Sequence, residues 1–526
     1  MIFRSVATFL AIALLSACEQ SDGAGIDCFS IDDCKNEQTC FFGRCVDVGY
    51  ALTSVYGELT PPNDSPWLEQ QAGPINLEDG RQDIVLEDSV RFSGEFGPDA
   101  GAVQSYSGEL LIHSTYGKIP GRDLVRHVNV SEQGFEMNVL RGIYTMTFQP
   151  SETRRPPKSF AKEIIKSAPP QNFSYPADNE LQWVSGRLLA KPLSEWKMPD
   201  ATIYGTAANP NPDLGPLRST LTQTNADGIF EIAFLPEATN FFTIHVGPST
   251  SDFFVPETEF PDRTIVEEPN SVGDLVLGID GLTQVTAVVE DQSGASIVGA
   301  NIRFDGYSVG DAGGQFVTNA ASDGDGRVST EVLPGDYLIT VAPQKAQRYG
   351  LISKVARFDG VQTVRITVPD KVWVGGCVTS RAGARVTKAE VVFTRRNSPV
   401  PRRFETTTNS DGCYSVAVDP GYVDEDELEP AEYELVIKPD VESGLPFFRK
   451  LMLVRDTTMS REDVELYEPA IVYGMVRDPM GMPLGNVIIA FYSLELDPNE
   501  PLLVGVSQTL DGTRAGEFVL PVPLLK

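Results

Sequence analysis

Along most of the chain, apolar residues alternate with polar ones in short runs. Period-two alternation rich in β-branched residues puts one face of a strand on a core and the other in water. Ala201-Thr202-Ile203-Tyr204, Ala300-Asn301-Ile302-Arg303-Phe304, Ala389-Glu390-Val391-Val392-Phe393 and Asn486-Val487-Ile488-Ile489-Ala490 read this way. Each follows another apolar strand that runs into or past a small residue: Trp183-Val184-Ser185-Gly186, Thr286-Ala287-Val288-Val289, Trp373-Val374-Gly375-Gly376 and Val472-Tyr473-Gly474-Met475. No long run has the period of an amphipathic helix, so the pattern predicts an all-β chain built from repeated units.

The repeat extends beyond the paired strands. Asn225-Ala226-Asp227-Gly228, Asp323-Gly324-Asp325-Gly326 and Asn409-Ser410-Asp411-Gly412 are tight reversals in which Gly takes positive φ and the Asx side chain bonds local backbone. A corner and strand follow, as in Leu333-Pro334-Gly335-Asp336-Tyr337, and Leu140-Arg141-Gly142-Ile143-Tyr144 aligns with it, marking a diverged unit near the N-terminus. Residues 156–182, with Pro156-Pro157 and Pro169-Pro170, read as a Pro-rich linker. The last unit stops after Gly516-Glu517-Phe518-Val519-Leu520 without the corner strand, which implies either a missing stretch or an open sheet edge.

This order of strands and turns resembles the carboxypeptidase regulatory-like domain, a transthyretin-like, Ig-like β-sandwich grouped with carbohydrate-binding-like folds. The resemblance implies sandwiches over 183–281, 284–369 and 372–468, an incomplete one over 471–526 and a diverged one over 51–155. It also makes neighbours of the strands holding Cys377 and Cys413, so that a disulfide bridges them. A shared sandwich carries no shared activity.

At the N-terminus, Arg4 precedes an apolar run, Val6 to Ala17, too short to span a bilayer and shaped like an export signal. Leu15-Ser16-Ala17-Cys18 resembles a bacterial lipoprotein signal, which implies removal of residues 1–17, lipidation of Cys18, a tether over 18–27 and default delivery to the outer membrane. Of the seven cysteines, six then remain to pair in an oxidising compartment. Cys28, Cys34, Cys40 and Cys45 form a small module over 28–46 that disulfides must hold together, since it cannot bury a core. Four cysteines allow three connectivities; Cys28–Cys40 with Cys34–Cys45 is the expected one.

Net charge is −31, from 42 Lys and Arg against 73 Asp and Glu. Such a surface repels phosphate backbones, so no nucleic-acid partner is expected. The three histidines, His113, His127 and His245, lie in no H-x-x-E pair, and no serine sits in G-x-S-x-G, so neither zinc-peptidase nor hydrolase chemistry is expected. The Asx-Asp-Gly carboxylates suit turns without a metal, and no cofactor is expected. Trp183 and Trp373 occupy equivalent positions, where they pack on neighbouring protein or form a stacking platform for sugar rings. These features together predict a lipid-anchored, non-enzymatic structural or adhesive protein of the cell envelope. The alternatives are a carbohydrate-binding array, or an accessory subunit of an envelope or secretion assembly that docks through the open last unit.

Overall fold

The computed structural model describes residues 28, 34, 38–41, 44–47, 52–77, 80–98, 105–114, 117–191, 197–249, 255–265, 270–279, 281–398, 400–424, 427–454, 460–499 and 501–524. The chain is all-β, a tandem array of Ig-like, transthyretin-like sandwiches after a disulfide-bonded N-terminal module. No described helix is long and apolar enough to cross a membrane. Cys18, the signal and the tether lie outside the described residues.

Five sandwiches among the described residues share one topology. In each, the opening strand lies between the fourth strand, antiparallel to it, and the seventh, parallel to it; the other sheet runs sixth, fifth, second, third. In sandwich III the opening strand Thr283–Asp291 pairs with Arg327–Val332 and with Gln362–Val368, while Asn301–Val309 lies between Gly314–Ala321 and Gly335–Ala342, with Ile352–Phe358 outermost. Sandwiches I, II and IV repeat this order over residues 90–174, 182–276 and 372–466.

Local chemistry explains the recurring landmarks. Alternation becomes burial: in Ala431–Lys438 every second residue, from Ala431 through Ile437, faces the core. The Asx oxygens bind backbone as expected: Asn225 Oδ1 accepts from the N–H groups of Asp227 and Ile229 at 2.9 and 3.0 Å. Asp323 does the same for Asp325 and Arg327, and Asn409 for Asp411 and Cys413. The small residue of the opening strand is required by the seventh strand beside it: a Cβ at Gly376 would lie 1.8 Å from the Glu462 carbonyl oxygen. Tyrosines at the start of the fifth strand tie the corner down, Tyr144 Oη donating to Leu140 O and Tyr337 Oη to Leu333 O, both at 2.7 Å.

Three sequence expectations need correction. Residues 156–182 are not a linker: Lys158–Ile164 is the sixth strand of sandwich I, paired with Gly142–Pro150, and Gln171–Ser174 is its seventh, parallel to Val90–Gly97. The range 51–155 is not one unit, because residues 54–85 belong to a different sandwich from residues 90–174. The last unit is not open. Its fifth, sixth and seventh strands are Ser54–Thr60, Gln70–Asn76 and Arg81–Val85, from the other end of the chain.

The chain-closing sandwich as candidate functional site

The closing sandwich takes its opening four strands, Glu468–Arg477, Ile488–Ser493, Leu502–Gln508 and Glu517–Leu524, from the C-terminal part of the chain. Tyr56 to Thr60 pair antiparallel with Tyr492 to Ile488, and Arg81 to Val85 run parallel to Tyr473 to Arg477. Gly474, the small residue of its opening strand, is filled from the far end of the sequence: a Cβ there would lie 1.7 Å from the Gln82 carbonyl oxygen. Val55, Leu59, Ile75 and Ile84 from one segment share a single core with Val472, Val487, Ile489, Phe491, Leu502 and Phe518 from the other.

Polar contacts fasten the two segments where they meet. The Glu495 carboxylate accepts from the backbone N–H of Thr53 and Ser54, at 2.9 and 2.6 Å, and from both hydroxyls, at 2.7 and 3.0 Å. Arg44 of the disulfide module reaches Asp497 at 3.0 Å, and Val46 joins the sandwich core. From sandwich I, Arg122 donates to Glu58 at 2.7 Å and lies 4.8 Å over the Tyr492 ring, touching both segments at once. The Glu58 hydrogen bond raises the Arg122 pKa, and burial followed by the Glu58 charge raises that of Tyr492. Gln71 completes the joint: its Nε2 donates to Arg122 O, and its Oε1 accepts from the N–H groups of Lys118 and Ile119.

Every successive pair of sandwiches is also joined. Arg155, 4% exposed, lies 4.1 Å over Tyr106 of sandwich I and binds Asp178 at 2.6 Å in the connection to sandwich II. Glu257 and Gln315 exchange backbone hydrogen bonds between II and III, whose cores merge into one cluster. Between III and IV, the buried Asp419 accepts from Leu351 N–H and from Arg402. Tyr467 packs against the cores of both IV and the closing sandwich. The chain is therefore a loop of five sandwiches whose last member contains both ends of the array.

The residues singled out from sequence fall at scattered places around this loop. Cys34 and Cys45 are bonded, with Cα atoms 5.5 Å apart. Cys28 is buried and disulfide-bonded, while its expected partner Cys40 has a side chain outside the described residues. The sulfurs of Cys28, Cys34 and Cys45 lie within 4.8 Å of one another, but as disulfide sulfurs they are not the thiolates that ligate zinc. Cys377 and Cys413 are bonded between the opening and fourth strands of sandwich IV, where they stand directly opposite each other. Trp183 is half-buried against the core of sandwich I with Arg154 5.4 Å over its ring, whereas Trp373 is 55% exposed. Each histidine sits beside a different carboxylate, Asp123, Glu109 and Glu259; His113 and His127 lie on the adjacent second and third strands of sandwich I, and His245 is in sandwich II.

Cavities among the described residues sit mainly at joints. The void between the closing sandwich and sandwich I, lined by Gln70, Gln71, Lys118 and Tyr144, measures about 40 Å³, room for water and not for a substrate. A more open hollow of about 300 Å³ between II and III is lined by Asp311, Asp336, Arg357 and Asp359, and Arg357 already binds Asp336 at 3.2 Å and Asp359 at 3.1 Å.

Glu495, Arg122, Gln71 and Glu58 carry no motif and were not singled out from the sequence. The available signal was arithmetic: three strands between the disulfide module and residue 90 beyond those of sandwich I, and four strands over residues 468–524 where the other units have seven.

No protein-family model matches the chain, and no curated protein matches it. Among solved structures it is similar to a streptococcal ancillary pilin, at 12% identity over 54% of this chain and 99% of that one, with a TM-score of 0.21. It is similar to the TIE protein of Bacillus anthracis, at 11% identity over 72% and 75% of the two chains, with a TM-score of 0.16. A third likeness is to GBS52, the minor pilin of Streptococcus agalactiae, at 13% identity over 35% and 95%, with a TM-score of 0.24. At such scores the likeness decides nothing about what this chain does.

Proposed function

We propose that the chain is a lipid-anchored, non-enzymatic protein of the bacterial outer membrane that acts as a closed structural or adhesive scaffold of carboxypeptidase regulatory-like sandwiches. The closing sandwich is the observation that carries this reading. Strands that directly follow the disulfide module share a core with the last strands of the array, and Arg44 ties the module to Asp497. A lipid on Cys18 therefore holds the closing sandwich near the membrane. Sandwich II, two joints away through I, and sandwich III, two joints away through IV, present the surfaces most joints removed from the anchor.

The closed sheet also bears on the accessory-subunit alternative, because the edge that reading needs is occupied by residues 54–60 and 81–85. The exposure of Trp373 keeps a glycan-binding alternative specific enough to test.

Membrane fractionation with a carbonate wash tests the anchor. The full chain should stay in the pellet, and Cys18→Ala should move to the supernatant, since the lipid is the only anchor proposed. Retention of the variant in the pellet would overturn the reading. The released variant then goes on a glycan array, where binding lost in Trp373→Ala would replace the scaffold by a carbohydrate-binding array.

A further inference from the structure

We propose that residues 54–85 can be exchanged between copies, so that the N-terminal strands of one molecule complete the closing sandwich of a second copy of the same chain. The acceptor is the C-terminal segment 468–524, four strands with an apolar face formed by Val472, Val487, Ile489 and Phe491. Its complement is present, by identity of sequence, on every other copy. The contacts that hold the strands in place belong to the pairing and not to the path of the chain. They comprise the antiparallel register of Tyr56 to Thr60, the parallel register of Arg81 to Val85, the Gln82 carbonyl against Gly474, and Thr53 and Ser54 on Glu495. A second copy satisfies all of them equally.

Three features favour exchange. Leu86 still belongs to the closing core, its N–H bonded to Arg477 O, so the donor strands connect to sandwich I through only residues 87–89, a short hinge of the kind that accompanies swapping. The acceptor strands begin at Glu468, after all of sandwiches I to IV, so Val55, Leu59, Ile75 and Ile84 leave the ribosome long before their partners exist. Apolar faces and strand edges left waiting in this way are captured by other chains. Finally, donor and acceptor are different patches at opposite ends of the sequence, so the contact is head-to-tail. Two reciprocal exchanges close a dimer, and non-reciprocal ones continue into a filament.

Cysteine pairing distinguishes exchange from self-closure. Thr60 and Ile488 stand opposite each other on adjacent strands, both exposed. Thr60→Cys and Ile488→Cys are made separately and together in the full chain, on a Cys18→Ala background that carries neither the lipid nor a thiol at position 18. The double variant should form an intrachain bond, reporting the native pairing. An equimolar mixture of the two single variants, unfolded with native disulfides intact and refolded together at rising concentration, should give a reducible species of twice the chain mass with one copy of each. A mixture that stays monomeric while the double variant cross-links would overturn the proposal. So would failure of the double variant to cross-link, or equal dimer yield from Thr60→Cys alone.

Discussion

Sandwich III and the closing sandwich have the same seven-strand pairing and similar cores but differ in how the chain runs through them. In III, the fourth and fifth strands are separated only by the corner Leu333-Pro334, and the whole unit is continuous from Thr283 to Val368. In the closing sandwich, the fourth strand ends at Leu524 and the fifth begins at Ser54. The parallel pair that seals one sheet is nonetheless the same, Val285 to Asp291 on Gln362 to Val368 in one and Tyr473 to Arg477 on Arg81 to Val85 in the other. Pairing chemistry and side-chain burial therefore define the sandwich, while chain continuity only sets the cost of bringing the strands together. For a flexible chain that cost grows slowly with length. Here the joints among I, II, III and IV set it, because they must return residue 466 to the neighbourhood of residue 90.

The sharpest way to break the comparison is to remove the borrowed strands. Without residues 52–85, the C-terminal segment loses three of seven strands and exposes the face carrying Val472, Ile489 and Phe491. It should unfold outright, so that proteolysis trims the chain back to about residue 466 while I to IV persist. A permuted fragment, residues 468–524 joined by a short Gly/Ser linker to residues 52–86, restores the continuity that III has by nature. It should fold as a monomer with a cooperative transition. Failure of this fragment to fold would show that the closing sandwich depends on its joint with sandwich I, through Arg122 and Gln71, more than on its own core.

A smaller effect sharpens the same contrast. Phe304 in III and Phe491 in the closing sandwich both lie on the second strand and are fully buried. Truncation of either to Ala should cost about 3–5 kcal/mol. The consequences should differ in sequence space. Hydrogen exchange should quicken throughout 54–60 and 70–76 in Phe491→Ala, although the substituted residue is far away in the sequence. In Phe304→Ala the same amides should keep their protection, because the loss stays within one continuous stretch. Equal protection of residues 54–85 in the two variants would contradict the shared core.

The repeats were legible in the sequence because each landmark has a local cause. Asx side chains close their own turns, and a small residue sits where the seventh strand crowds the opening one. Two readings failed for equally physical reasons. Pro156-Pro157 and Pro169-Pro170 suggested a linker, but they stand just ahead of Lys158–Ile164 and Gln171–Ser174, which occupy the outer edges of their sheets. An edge strand needs hydrogen-bond donors on one side only, so proline is tolerated at its start, and lysines such as Lys158 and Lys162 protect a free edge from pairing. The terminal unit appeared open because a pattern read along the chain assumes that neighbours in a sheet are neighbours in sequence. Nothing in Val55, Leu59 or Ile84 taken alone announces a partner beyond residue 468. The closing contacts of Glu495 and Arg122 are single residues without periodicity, visible only once the strands are placed.

The smallest expected effect concerns an ion pair across the opening and seventh strands, which several sandwiches share. Arg187 binds Asp274 in II, Arg365 binds Glu290 in III, and in the closing sandwich Arg477 lies 3.6 Å from Asp83, linking the two ends of the sequence. Hydrogen bonding from Arg81, with the Arg81 and Arg477 charges behind it, holds the Asp83 carboxyl below the usual carboxylate range. A folded-state pKa below the unfolded value means that the ionised form favours folding. The contribution is complete at neutral pH and disappears as pH falls through the lowered pKa. Because Asp83 is partly exposed, solvent screening limits the contribution to about a few tenths of a kcal/mol. Asp83→Asn should therefore loosen the 81–85 strand slightly at pH 7, read as faster exchange of its amides than in the parent protein. As pH falls through the lowered pKa of the parent carboxyl, the difference should shrink toward zero. A gap that instead widened in acid would mean that Asp83 destabilises the junction, and that burial, with no help from this ion pair, holds the two ends of the chain together.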